Sequence, residues 1–290
     1  MLSGGLDQTA GLSLAAQPVK VIAISGGKGG VGKTNVAVNL GTALCRLGRR
    51  VLLLDADLGL ANVDVVLGVR ARLNLEHVIA GECGLEDVIV TAPSGLKIVP
   101  ASSGNAAMAN LGANVHGGLI QAFSELLEPL DVLLIDTAAG LSESVLTFGE
   151  AAQRIAVVVC DEPAALTDAY GLIKALRRRR PTARIDVVAN MVDDEAHGRA
   201  LYGKLARVTE RFLNFVPAYQ GAIPRDEYLR RAVQRQVAVV DGFPSSASAR
   251  AFMRLAQAVD GWRPPRAPSG GLEFFVERLL QGPRRIGQAG

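Results

Sequence analysis

Residues 25–34 read Ser-Gly-Gly-Lys-Gly-Gly-Val-Gly-Lys-Thr, directly after an apolar run and directly before a helical pattern. Within them, Gly27, Gly32, Lys33 and Thr34 satisfy the spacing G-x-x-x-x-G-K-[ST]. Glycines at these places let backbone N–H groups turn toward phosphate oxygens, and the start of the following helix adds partial positive charge. A glycine-rich turn without a ligand seldom carries this whole context, so the stretch predicts a phosphate-binding loop, with Lys33 on the β and γ phosphates and Thr34 on Mg²⁺. The expected contact set is Gly27, Lys28, Gly29, Gly30, Val31, Gly32, Lys33, Thr34 and Asn35.

Short β-branched runs alternate with longer helical patterns on the C-terminal side of this loop. This alternation is typical of βαβ units, and several of the runs are apolar throughout, as strands covered on both faces should be. We therefore expect an α/β domain over residues 18–262, built on a single doubly wound, mainly parallel sheet flanked by helices. The expected strands are 19–24, 50–54, 97–99, 132–135, 155–159, 184–189 and 219–222, and the expected helices begin near Lys33, Val115, Glu143, Pro163, Ala196, Glu227 and Ala247.

Composition narrows the class of protein. With 49% hydrophobic and 20% charged residues, the 290-residue chain can bury a large core, and a net charge of +3 argues against a protein that coats nucleic acid. Three cysteines, none in a C-x-x-C pair, indicate neither a disulfide framework nor a zinc site. The start lacks the basic residues of a secretory signal, and no apolar run reaches 18 residues, so we expect a cytoplasmic protein.

Both ends of the chain lie outside the regular pattern. Residues 1–17 are polar and rich in small residues and are expected to be flexible, and residues 263–271 carry the Pro and Gly of a linker. Residues 272–281 predict an amphipathic helix that either lies in a membrane interface or packs on its own domain. Its apolar face would consist of Leu272, Phe275, Val276, Leu279 and Leu280.

Three carboxylates stand where predicted strands end. Asp55 and Asp57 follow the strand 50–54, and Asp136 follows the strand 132–135. The carboxyl ends of parallel strands form the ligand-binding edge of an open α/β sheet, beside the phosphate loop. The three therefore predict an Mg²⁺ shell and a water-orienting group, although each alone could simply cap the next helix.

The second lysine of the loop, Lys28, points to a family. Residues 27–34, Gly-Lys-Gly-Gly-Val-Gly-Lys-Thr, resemble the deviant Walker A motif of the MinD/ParA ATPases. The resemblance implies that Lys28 reaches the phosphates of a partner copy in an ATP-bound homodimer. It also implies that Asp57 positions the attacking water, that Asp136 acts on the Mg²⁺ shell with help from Asp55, and that residues 136–140 sense the γ-phosphate. Lys28, Lys33 and Asp57 would be the catalytic residues, and Thr34, Asp55 and Asp136 the metal residues.

The sequence indicates less clearly which nucleotide base the site binds. Residues 190–193, Asn-Met-Val-Asp, resemble the guanine-reading N-K-x-D of GTPases with the lysine replaced by Met191. In MinD-like ATPases an Asn at this place contacts adenine together with the loop after the next strand. This resemblance favours ATP over GTP. The implied contacts are Asn190, Ile223, Pro224, Arg225 and Asp226.

A narrower resemblance is carried by residues 55–64, Asp-Ala-Asp-Leu-Gly-Leu-Ala-Asn-Val-Asp, which look like the FlhG/FleN branch of the MinD-like ATPases. Residues 135–140, 160–163, 167–170 and 272–279 agree with that branch. The resemblance implies a cytoplasmic ATPase, bound peripherally to the membrane at the cell pole, that limits flagellar number, antagonises the transcription activator FleQ and acts with the GTPase FlhF. Residues 7–12 resemble the D-Q segment that stimulates FlhF, but Ser13 stands where a basic residue is usual.

Other functions stay open at this stage. A division-site or DNA-partitioning ATPase belongs to the same superfamily, and a nucleotide-bound scaffold would keep Lys33 but make Asp57 dispensable. An iron–sulfur reductase needs a cysteine that residues 136–143 lack. The run Arg177–Arg180 is interpreted as a solvated helix end, so direct specific binding of nucleic acid is not expected.

Overall fold

The computed structural model describes residues 19–57, 62–101 and 130–262. In these ranges eight strands form one sheet in the order β3-β4-β2-β5-β1-β6-β7-β8. Every neighbouring pair is parallel except β3 with β4, which is antiparallel. The strands are β1 (Lys20–Gly26), β2 (Val51–Ala56), β3 (Val90–Thr91), β4 (Lys97–Val99), β5 (Val132–Ala139), β6 (Arg154–Val159), β7 (Ile185–Val192) and β8 (Ala218–Pro224).

Helices cover both faces of the sheet. Alternate residues of β1 face opposite cores: Val21 belongs to one buried apolar cluster and Ile22 to the other. This arrangement explains why the strands are apolar throughout. The helices are α1 (Lys33–Arg46), α2 (Val63–Leu67), α3 (Leu75–Ile79), α4 (Leu85–Val88), α5 (Glu143–Ala151), α6 (Pro163–Arg179), α7 (Glu195–Leu213), α8 (Glu227–Gln234), α9 (Val239–Gly242) and α10 (Ala247–Gly261).

The doubly wound α/β architecture is confirmed, with corrections to the boundaries. Strand β3 was not predicted, because two residues are too short to show a period. Strands β2, β5 and β7 run further than predicted, so Asp55, Asp136 and Asn190 lie inside strands rather than after them. The helix expected near Val115 and the segments 1–17, 263–271 and 272–281 lie outside the described residues.

The topology places the phosphate loop at the centre of the sheet. Strand β1 lies between β5 and β6, and the loop joins its carboxyl end to α1. Strand β2 pairs with the other side of β5 in a register that sets Asp55 directly opposite Asp136. Phosphate loop and carboxylates therefore meet at one edge, as predicted.

Candidate functional site

The phosphate loop turns through two glycines in the left-handed region. Gly30 has φ 80° and Gly32 has φ 89°, and Gly32 immediately precedes α1. Glycine adopts this conformation without the steric penalty that a side chain would meet. Lys33 opens the helix and is only 8% exposed. Its ammonium group is therefore held inside the site rather than in bulk solvent.

A glycine is required at position 27 because of a contact with residues that are distant in the sequence. A Cβ atom at Gly27 would lie 2.2 Å from the carbonyl carbon of Asp168 and 2.6 Å from the amide nitrogen of Ala169. Both atoms belong to the backbone of α6, so no side-chain rotation could relieve the clash. The first glycine of the motif thus lets the loop pack directly on a helix.

Asn190 ties β7 to the same loop. Its side chain is 3% exposed, and its Nδ2 donates a 2.8 Å hydrogen bond to the carbonyl oxygen of Val31. Its amide group also fills the space above Gly32, where a Cβ atom would lie 2.4 Å from Nδ2. Asn190 therefore positions the loop in this structure, and its contact with adenine stays a prediction.

Asp55 is surrounded by backbone donors. It is 1% exposed, and its carboxylate accepts hydrogen bonds from the amides of Asp57 (3.2 Å), Asn62 (3.1 Å) and Val63 (3.1 Å). Burial, only partly offset by these N–H groups, raises the pKa of Asp55 to about 6. Asp55 thereby fixes both ends of the segment that carries Asp57.

Asp136 has the properties of a metal-shell residue. It is 1% exposed, and its Oδ1 has no hydrogen-bond partner among the described residues. Burial and the negative charge of Asp55 raise the pKa of Asp136 to about 8, against a hydrogen bond from Thr34 and the charge of Lys33. A buried, unpaired oxygen beside a threonine hydroxyl fits Mg²⁺, which prefers oxygen ligands. The donor set of Thr34 and Asp136 can therefore hold the ion predicted from the sequence.

The segment after Asp136 is linked to the phosphate loop. The Thr137 hydroxyl lies 2.9 Å from the Ser25 hydroxyl, and the Gly140 amide donates a 3.0 Å hydrogen bond to the carbonyl oxygen of Gly26. Thr137 is buried, and Gly140 has φ 93°. A displacement of the loop would thus pass directly to residues 136–140, which suits the predicted sensing of the γ-phosphate.

Lys28 has a partner that sequence reasoning missed. Its ammonium nitrogen lies 2.5 Å from Glu162 Oε2, and its side chain is 38% exposed. This hydrogen bond raises the pKa of Lys28. Glu162 follows β6 at the same edge of the sheet as the aspartates, and that position was the available signal. The two lysines of the motif therefore occupy different environments, one buried and one exposed.

The loop after β8 is organised by its own polar side chains. Arg225 Nε donates a 2.7 Å hydrogen bond to the carbonyl oxygen of Met191. Asp226 caps α8 and also accepts hydrogen bonds from the amide (2.8 Å) and hydroxyl (2.7 Å) of Ser248. The Asp226 carboxylate is thus engaged within the protein, and base contacts by residues 223–226 stay predictions.

His197 engages the acidic residue of the N-x-x-D spacing. Its Nδ1 lies 3.1 Å from Asp193 Oδ2, and its Nε2 lies 2.9 Å from Asp161 Oδ2. An Asp that reads guanine must offer its carboxylate to the base. In this structure one oxygen of that carboxylate is paired with a histidine on α7, and the choice of base rests on the family resemblance.

Two residues of the predicted arginine run are structural. Arg179 binds both carboxylate oxygens of Glu143 at 2.8 and 2.5 Å, and Arg180 Nη1 donates a 2.9 Å hydrogen bond to the carbonyl oxygen of Glu150. These contacts fasten α6 to α5. They support the interpretation of the run as a helix end rather than a DNA patch.

No helix within the described ranges combines the length and apolarity needed to cross a bilayer. The predicted amphipathic face of Leu272, Phe275, Val276, Leu279 and Leu280 lies outside those ranges.

Known proteins resemble this chain in sequence and in fold. Residues 22–239 match the CobQ/CobB/MinD/ParA nucleotide-binding domain. The antiactivator FleN of Pseudomonas aeruginosa is 56% identical over 266 residues, which cover 92% of this chain and 95% of FleN. The flagellum site-determining protein YlxH of Helicobacter pylori is 34% identical over 90% of each chain. The solved structure of the septum site-determining protein MinD with Mg-ADP, from Pyrococcus horikoshii, is 29% identical, has a TM-score of 0.67, and covers 84% of this chain and 96% of MinD.

Proposed function

This chain belongs to the CobQ/CobB/MinD/ParA nucleotide-binding family, in its FlhG/FleN branch, and from that premise we propose that it is an ATP-timed switch that regulates the number and placement of flagella. As a family member it is an ATPase that uses ATP and Mg²⁺. Its identity of 56% to an antiactivator FleN, against 29% to a septum site-determining MinD, favours the flagellar role over division-site placement.

The contrast between Lys33 and Lys28 carries this proposal. Lys33 lies buried beside Asp136 and serves the phosphates bound in its own loop. Lys28 extends outward from the same loop to Glu162 and is 38% exposed. A cation there can reach the phosphates of a second copy brought face to face with the first. Nucleotide biases dimerisation only through contacts made solely in the dimer, and the contact of Lys28 with the partner's phosphates is such a contact.

Hydrolysis then returns the switch to its resting state. Asp57 follows β2 on the segment that Asp55 anchors, and it orients the attacking water toward the γ-phosphate. Thr34 and Asp136 would hold the magnesium ion, which would supply positive charge next to the phosphate oxygens. Loss of the γ-phosphate releases residues 136–140, which Thr137 and Gly140 link to the loop.

The dimer presents the surface that its partners recognise. We infer that a FleQ-type transcription activator binds it and is held inactive, in line with the name of the P. aeruginosa relative. We further infer that residues 1–17 act on the GTPase FlhF and that residues 272–281 attach the dimer to the inner face of the cell membrane.

The test uses a purified FleQ-type activator immobilised on a sensor surface. The full chain should bind it with ATP and Mg²⁺ and should dissociate in ADP, because only the ATP state is dimeric. Asp57→Ala should stay bound to the activator, since it cannot hydrolyse its ATP. Lys33→Ala should not bind the activator in either nucleotide. Equal capture in ATP and ADP would contradict the switch.

Two further experiments address the ends of the chain. Deleting residues 1–15 should abolish stimulation of FlhF GTPase activity, and undiminished stimulation would refute that role. Sedimentation with anionic liposomes should carry down more protein in ATP than in ADP, and equal sedimentation would count against nucleotide-controlled membrane binding.

A further inference from the structure

A histidine bridges the ends of two neighbouring strands at the ligand-binding edge of the sheet. His197 lies in the first turn of α7, and its side chain is 27% exposed. Its Nε2 lies 2.9 Å from Oδ2 of Asp161, just after β6, and its Nδ1 lies 3.1 Å from Oδ2 of Asp193, directly after β7. One imidazole ring therefore connects the segment that follows β6 with the segment that carries the predicted base contacts.

Further contacts hold the ring and one of its partners in place. The amide of His197 donates a 2.7 Å hydrogen bond to Oδ1 of Asp194, which caps α7. Oδ1 of Asp161 accepts a 2.9 Å hydrogen bond from Lys204, also on α7. Within the described residues, the charged groups that face the ring are therefore Asp161, Asp193 and, beyond Asp161, Lys204. Since Asp193 is 76% exposed, the ring restrains Asp193 more than Asp193 restrains the ring.

The segment 190–193 has a backbone conformation that needs such restraint. Met191 has φ 58°, in the left-handed region that residues with a side chain rarely adopt. A conformation of this kind costs free energy and persists only where the surroundings enforce it. Asn190 connects the start of the segment to the phosphate loop through its 2.8 Å hydrogen bond. His197 supplies the contact at the other end of the segment, at Asp193.

The charge of the ring determines how strongly this contact is made. A protonated ring donates from both nitrogens, to Asp161 and to Asp193, and such charge-assisted hydrogen bonds are roughly twice as strong as neutral ones. A neutral ring that donates to Asp161 can only accept at Nδ1, where it meets the amide of Asp193 at 3.3 Å. The hydrogen bonds to the two carboxylates raise the pKa of His197, so the charged ring is populated near neutral pH.

We propose that His197 is a positioning residue for nucleotide binding, whose charged ring holds the segment 190–193 in the place where it receives the base. The proposal rests on the contact of this segment with adenine, which belongs to the proposed function. The nucleotide should bind more tightly to the chain with protonated His197, by about fivefold, the ratio between a hydrogen bond from a charged donor and one from a neutral donor. By linkage, the bound nucleotide must raise the pKa of His197 by the logarithm of the same ratio.

The first experiment measures the Kd of ribose-labelled fluorescent ADP for the full chain with Mg²⁺, across the range in which histidine titrates. His197→Gln, which cannot become charged, should bind ADP about fivefold more weakly than the wild type at the acidic end and equally well at the alkaline end. His77→Gln is the matched control, because the His77 ring contacts the capping residue of its own helix, α3. This variant should keep the wild-type pH profile.

Pyrophosphate, used as a competitor, separates the base from the phosphates. It carries phosphate groups like those of ADP but no base, so its Kd should be the same for the wild type and His197→Gln at each pH. The comparison also removes the titration of Asp136, which both variants share. Because ADP binding requires neither dimerisation nor hydrolysis, a failure of this proposal is distinct from a failure of the ATP switch.

The second experiment follows the ring nitrogens of the wild-type chain by NMR and needs no variant except to assign the His197 signal. The pKa of His197 should be higher with Mg-ADP than with Mg-pyrophosphate, whereas the pKa of His77 should be the same with both. The proposal fails if ADP and pyrophosphate give His197 the same pKa, or if the wild type and His197→Gln bind ADP with the same pH profile. It also fails if His197→Gln weakens ADP and pyrophosphate equally, because the histidine then acts on the phosphate loop rather than on the base.

Discussion

Replacing Gly27 with alanine tests whether the first glycine of the phosphate loop is required by packing. The new Cβ atom would lie 2.2 Å from the carbonyl carbon and 2.3 Å from the carbonyl oxygen of Asp168, and 2.6 Å from the amide nitrogen of Ala169. Since ordinary contact begins at 3.4 Å, loop and helix must separate by 3.4 − 2.2 = 1.2 Å.

The cost of this separation follows from the rigidity of both partners. Overpacking of this kind destabilises proteins by about 1–3 kcal/mol, because neither backbone can move without disturbing its own hydrogen bonds. For a domain of this size, 1 kcal/mol corresponds to about 2–4 °C, so the unfolding midpoint of Gly27→Ala should fall by about 2–12 °C. A phosphate loop displaced by about 1 Å should also lose about 100-fold in ATP turnover.

Gly29→Ala is the matched control in the same loop. A Cβ atom at Gly29 meets nothing within 4 Å, and its φ is outside the left-handed region. This variant should melt at the wild-type temperature or slightly above it, because alanine restricts the unfolded chain. Thermal unfolding followed by circular dichroism, without nucleotide, compares the two. If Gly27→Ala and Gly29→Ala melt together, the packing argument is wrong.

Three other substitutions test the site. Burial raises the pKa of Asp136 from 3.8 to about 8, so the protonated carboxyl favours the folded state, and the free protein should lose stability as the pH rises from about 4 through about 8. Asp136→Asn should flatten this dependence in thermal unfolding. An unchanged pH profile would contradict the assignment. Asn190→Ala leaves the carbonyl oxygen of Val31 without its donor, so the free energy of unfolding in urea should fall by about 1–3 kcal/mol and nucleotide binding should weaken. Wild-type values for both would refute the positioning role of Asn190. Asp226→Ala removes the cap of α8 and the bonds to Ser248, so the free energy of unfolding should fall by about 0.5–2 kcal/mol, whereas equal stability would show that these bonds contribute little.

The sequence predicted the elements that depend only on local residue patterns. The apolar strands, the glycine loop and the helix that begins at Lys33 follow from residue type and spacing, and the structure confirms them. The common position of the carboxylates was also predictable, because parallel strands bring their carboxyl ends to one edge of the sheet. The exact ends of β2, β5 and β7 were not predictable, because polar residues such as Asp55 and Asp136 are tolerated inside a strand when the site supplies their partners.

The contacts that escaped prediction join residues far apart in the chain. Nothing local to Gly27 indicates the backbone of Asp168, and nothing near Lys28 indicates Glu162, more than 130 residues away. Asp226 resembles a ligand-contacting residue in the sequence, yet a serine 22 residues later engages its carboxylate. These pairings depend on how helices dock on the sheet, which residue patterns alone do not specify.

The dimer itself is the most direct test of the account. Sedimentation velocity of the full chain with Mg²⁺ should show a monomer in ADP and a dimer in ATP. Lys28→Ala should bind ATP yet remain monomeric, while Arg178→Ala, which removes an exposed cation elsewhere, should dimerise normally. A wild-type chain that stays monomeric in saturating ATP, or a Lys28→Ala variant that dimerises and turns over ATP like the wild type, would contradict the account.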